Sequence, residues 1–293
     1  MRLIFIIIKK IYEQMEKEKV LKEIQSNIRA GKTDLASIQI QEMANNFSDD
    51  PFTLLTCASL LKVIGDEKGA KKIVDSIVGK IRNENRLEVS KGLRGMGYPA
   101  EAEKILYDAV GGDDVLREIM LVSFDLRKYA ECAASYGKLS TPTIDDTAVM
   151  IDSVSASGDH NRAVKLAKEL LAEAPDDLNV QKCYCSAMIS AGMSKEAGKF
   201  VKDNLKKNKN SSDANALASY FLWIEGKSKS AGAYASKAIK ADPENTMAME
   251  ILAYCLIEKK KLQEAKIVAG AINEKRPGDP AVVRILDACR NAD

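Results

Sequence analysis

Apolar residues along this chain recur at helical spacing. Leu166, Ala167, Leu170 and Leu171 stand at i, i+1, i+4 and i+5, which places them on one stripe of a helix. A longer period is laid over this one. A Gly is followed five residues later by an Ala at Gly31/Ala36, Gly65/Ala70, Gly97/Ala102, Gly158/Ala163, Gly192/Ala197 and Gly226/Ala231. Ala163, Ala197, Ala231 and Ala265 follow one another at 34 residues, as do Ala36 and Ala70. Pro175, Pro243 and Pro277 keep the same register. Six phased pairs predict an array of helix pairs rather than one globular core.

Each phased residue has a physical reason. Gly takes positive φ without steric cost, which suits a tight turn between two helices. A small residue on each helix lets the backbones approach, where a larger one would overpack. Pro cannot continue the second helix and sets the entry to the next.

Counting the alanines at 36, 70, 102, 130, 163, 197, 231 and 265 gives eight helix pairs. The units lie near 17–50, 51–82, 83–110, 111–143, 144–177, 178–211, 212–245 and 246–279, within a folded region 15–293. The fourth is degenerate: Ala102 to Ala130 is short, Gly111-Gly112-Asp113-Asp114 replaces a normal linker, and Asp125-Leu126-Arg127-Lys128 has no turn Gly. After Pro277 and Pro280 the stretch 280–291 reads as a lone capping helix, which a repeat array needs to stay soluble.

In spacing and in small-residue positions the chain resembles the tetratricopeptide repeat over nearly its whole length. The best unit, Ser212–Asn245, carries Ser219, Gly226, Ala231, Ala238 and Pro243 at the expected places. The next has Ala253, Lys260, Ala265, Ile272 and Pro277, without the turn Gly. The unit from Leu178 has Cys185, Gly192, Ala197, Asn204 and Lys209, without the Pro. The resemblance implies an all-α, right-handed superhelical solenoid of about eight helix pairs plus the capping helix. It also implies a concave wall lined by positions 2, 5, 9 and 12 of each first helix.

Carried over residue by residue, the wall is Asn179, Lys182, Ser186 and Ile189; then Asp213, Ala216, Tyr220 and Trp223; then Met247, Glu250, Tyr254 and Ile257. Lys182, Ser186, Tyr220, Trp223, Met247, Tyr254 and Ile257 are the candidate partner-binding residues. Trp and Tyr bury much area at little entropy cost and are enriched at binding hot spots. The competing assignment puts Trp223 in the core under the next repeat. Family members that grip a chaperone's terminal carboxylate use Lys and Asn on successive first helices. Ser186, Ala216 and Glu250 stand at such places here, which argues against Hsp70- or Hsp90-tail binding.

Composition narrows the function further. Lys and Arg number 44 against 42 Asp and Glu, and the two signs are interleaved, which argues against nucleic acid. Six scattered Cys form no CxxC pair, and a single His leaves a zinc site almost without ligands, so the thiols read as small core residues. Ala30-Gly31-Lys32-Thr33 mimics the end of a phosphate-binding loop, but position 26 is Ser and Gly31 is already the turn glycine. His160 reads as a solvated turn residue, and Asp145-Asp146 and Asp176-Asp177 as helix caps. No catalytic residue, cofactor or metal is assigned.

The apolar run Leu3–Ile8 before Lys9-Lys10 is too short to span a bilayer and has no cleavage signal after it. Residues 1–14 are read as a helical extension, a membrane-surface tether, or an upstream start with Met15 as the true first residue. The expected function is a cytoplasmic, non-enzymatic protein- or peptide-binding scaffold, with no nucleic-acid partner and no stable membrane insertion. The alternative is a structural subunit of a larger or self-associated assembly, membrane-proximal through the N-terminal segment.

Overall fold

The structure is a computed structural model that describes residues 2–107, 109, 111–276 and 280–292, with side chains from Met15 onward except those of Asn83 and Pro280. Pro277 lies outside the described residues. Among them there are seventeen α-helices and no strand. They fall into pairs of a first and a second helix: α1 (Arg2–Arg29) with α2 (Thr33–Asn46), and α3 (Pro51–Val63) with α4 (Glu67–Val78). Next come α5 (Arg86–Gly95) with α6 (Pro99–Leu106), α7 (Asp113–Asp125) with α8 (Tyr129–Tyr136), and α9 (Ile144–Ala156) with α10 (His160–Glu173). The last pairs are α11 (Leu178–Ser190) with α12 (Ser194–Lys207), α13 (Ser212–Ile224) with α14 (Ser228–Ala241), and α15 (Thr246–Glu258) with α16 (Leu262–Lys275), followed by the single helix α17 (Pro280–Ala292). The chain is an all-α solenoid of eight pairs and a final helix, as the period predicts.

Turns and caps explain where these helices stop and start. Gly31, Gly65, Gly97, Gly158, Gly192 and Gly226 all have φ between 71° and 95°. Arg127 (φ 60°) and Lys260 (φ 59°) hold the same conformation in the two turns that lack glycine. First helices open on residues that cap their free N–H groups. Thr143, Asp177, Ser211 and Asn245, each 34 residues after the last, accept from the backbone N–H of Asp146, Val180, Ala214 and Ala248. Asp146 returns the bond to the Thr143 N–H and completes a capping box. His160 departs from the solvated-turn reading: it is the first residue of α10, and its Nδ1 is shielded from water with no hydrogen-bond partner among the described residues.

Two compact units make up the chain, residues 1–93 with 101–109, and residues 94–100 with 110–293. In the first, α1 packs on α2, α2 on α3 and α3 on α4, around buried Ile24, Ala36, Ile40, Cys57, Leu61, Ala70 and Val74. Lys17 closes one end on Asp50 at 2.6 Å. Helix α1 runs unbroken from Arg2 through the apolar segment into the first repeat.

In the second unit the first helices α7, α9, α11, α13, α15 and α17 each pack on the next. Every second helix sits between two first helices, and successive second helices make no comparable contact. One layer is therefore continuous and the other gapped, which curves the continuous layer's free face inward. The crossings are lined by small buried residues: Ala163, Ala197, Ala231 and Ala265 on the second helices, and Cys185, Ser219 and Ala253 on the first. All six cysteines are free and buried. No described helix is long and apolar enough to cross a membrane.

Candidate partner-binding groove

The inward face of the second unit is set by helical geometry. Cys185, Ser219 and Ala253 are buried at the crossings, so the residues one position on, Ser186, Tyr220 and Tyr254, turn toward the free face and are half-buried. Three and four residues to either side, Lys182, Trp223 and Ile257 share that face and are half-buried as well.

Two clusters form there. The Trp223 and Tyr254 rings stack with centroids 5.1 Å apart and an interplanar angle of 22°. Trp223 and Tyr220 rest on Ala231, Ala235, Ile251 and Cys255, so each ring has one side on the core and an edge in water. Next to them, the Lys182 ammonium lies 5.4 Å from the centre of the Tyr220 ring. Burial raises the Tyr220 phenol far above its ordinary value, and a hydrogen bond with Ser186 works the other way. Burial also raises Tyr254, and its Oη donates to Glu250 Oε1 at 3.2 Å. Ile257 packs with Tyr254 against the α15–α17 core. Met247 is not brought to the stack: it packs on Ala216, Ala238 and Ala248, beside Ile239.

Three charged groups on this face have no place among the seven sequence candidates. Asp152 on α9 precedes Ser186 by one repeat, so Asp152, Ser186, Tyr220 and Tyr254 form a ladder with 34-residue rungs. The second ladder is Lys182, Ala216, Glu250 and Arg284. Arg284 donates from Nη2 and Nε to Glu250 Oε1 at 2.7 and 3.1 Å. Burial works against the guanidinium charge, but Glu250 and Tyr254 hold Arg284 above its ordinary value. Extending the 34-residue register one unit in each direction finds Asp152 and Arg284 in the sequence. Reading only three units misses them.

An array of stacked helix pairs with one continuous inner layer defines a helical-repeat protein of the α-solenoid class. Residues 222–289 match the sequence model of the tetratricopeptide repeat family. A tetratricopeptide repeat protein from Parabacteroides merdae superposes with a TM-score of 0.50 at 11% identity, over 82% of this chain and 98% of that one. Yeast Tom70 gives a TM-score of 0.47 at 14% identity, over 89% of this chain and 58% of its own. No curated protein matches the sequence. Residues 222–289 thus resemble the tetratricopeptide repeat in sequence, and over the rest of the chain the likeness is one of fold.

Proposed function

We propose that the inner face of α9–α15 binds an extended segment of a partner protein, and that the chain works as a non-enzymatic scaffold of the cytoplasm. The observation that carries this is the Trp223–Tyr254 stack, half in water above the buried Ser219 and Ala253. A half-buried aromatic pair on a curved face has area left to bury, and it loses little rotamer freedom on doing so. Six buried free thiols suit a reducing compartment.

Trp223→Ala tests the reading. Partner binding should weaken by about 2 kcal/mol or more, the range for a truncated aromatic anchor. The stability lost should stay below the ~3–5 kcal/mol of a fully buried Trp. Native-lysate capture with wild type and variant, beside their urea melts, measures both; unfolding at unchanged affinity would assign Trp223 to the core.

One observation favours a second reading, a structural subunit. Leu35 and Ile38, three apart on α2, and Met15 on α1 are exposed in the first unit. Sedimentation of the free chain distinguishes a self-associating subunit from a monomeric scaffold.

A further inference from the structure

Asp152 stands at the acidic end of the ladder that continues through Ser186 and Tyr220 to Tyr254. Glu250 and Arg284 neutralise each other through direct hydrogen bonds. Asp152 has no such relief, because no donor among the described residues bonds its carboxylate. The cation that acts on Asp152 is Lys182, whose ammonium is held over the Tyr220 ring and reaches the carboxylate through space alone. The same inner face carries the rings of Tyr220, Trp223 and Tyr254. Aromatic faces attract cations and repel anions, and the position of Lys182 over Tyr220 shows that this face accepts an ammonium.

We propose that Asp152 anchors a lysine or arginine side chain of the bound segment, so that the groove selects basic peptides carrying a flanking apolar residue. This rests on the reading that the same face binds a protein segment. The flanking residue packs on the Trp223–Tyr254 stack, and the cation completes the hydrogen bonding that Asp152 lacks. Burial pushes the Asp152 carboxyl up to about 6 even with Lys182 opposing it, so the free groove stabilises this negative charge poorly and gains when a positive one arrives. The groups acting on Asp152 or feeling its charge are Lys182 and Cys183 of α11 and Tyr220 of α13. None of them is a second cation.

The test uses the full chain and a bead-bound library of heptapeptides with Lys, Arg, Asp, Glu or norleucine fixed at the centre. Wild type should retain the Lys and Arg pools at least tenfold over the acidic ones. Asp152→Asn should lose about tenfold on the basic pools and keep its retention of the norleucine pool. Lys182→Met removes the competing ammonium and should strengthen basic retention severalfold. Preference for acidic pools, weaker basic retention by Lys182→Met, or an unchanged basic preference in Asp152→Asn each overturns the proposal. The groove itself would survive if Trp223→Ala still abolished binding. If no pool is retained in a Trp223-dependent way, the peptide-binding reading fails, and this inference with it.

Discussion

Asp152 and Arg127 both carry a cost to the fold. Well below pH 4 the Asp152 acid is neutral in the folded and the unfolded chain alike, and nothing is lost. As pH rises from there to about 6, the unfolded chain ionises first and the folded state falls behind. Asp152→Asn, always neutral, should therefore be the more stable protein at pH 7, by about 1–2 kcal/mol once solvent access to the group is allowed for. At about pH 3, below the ordinary carboxylate range, the two should melt together. Thermal melts at both values measure this, and a destabilised variant at pH 7 would mean that the carboxylate has a partner in the fold. Arg127 costs stability through its backbone, since a side chain at φ 60° crowds the following carbonyl. Its side chain is exposed, so Arg127→Gly should remove the strain and raise stability by up to about 1 kcal/mol in chemical denaturation. Lys260 is a different case, because its Nζ donates to the Ala292 carbonyl at 2.7 Å and anchors the end of α17.

Among elements, contact is between neighbours. Ala231 is buried where α14 meets α13 and α15, next to Ala235, Ile251 and Cys255. Ala231→Leu should overpack that crossing and cost about 1–3 kcal/mol. Hydrogen exchange should show lost protection in α13–α15 while α2 and α4 keep theirs, because a repeat array passes stability mainly between adjacent units. Even loss across all helices would contradict local coupling. The elements were legible in the sequence because turn Gly, crossing Ala and the helical stripe are all local signals repeated at one period. The same period placed Tyr220, Trp223 and Tyr254 on one face. What it left out has physical causes. Whether Trp223 lies in groove or core depends on how far the next helix covers it, and the structure leaves the ring on both sides of that boundary. Met247 occupies a wall position by count, in the helix's first turn, and packs in a separate cluster with Ala216, Ala238 and Ala248 rather than at the Trp223–Tyr254 stack. His160 follows a turn glycine by two residues, yet the helix already begins there and covers its Nδ1.

For the whole molecule, the near balance of 44 basic and 42 acidic side chains leaves little net charge to steer a partner from afar, so on the proposed reading selection falls to local groups. On the inner face of the second unit those groups are the two ladders. Their rungs share one spacing but not one chemistry: acid, hydroxyl and two phenols on the first, and amine, methyl, acid and guanidinium on the second. A uniform ladder would let a ligand slip by one rung at no cost and lie in either orientation. Here a one-rung shift would set a different group opposite each ligand side chain except between the two phenols, and a reversed strand would meet them in the opposite order. A binder with identical repeats throughout would hold its ligand as a sleeve holds a rod; the proposed groove would hold it as a lock holds a key, with a preferred depth of insertion and a preferred way round.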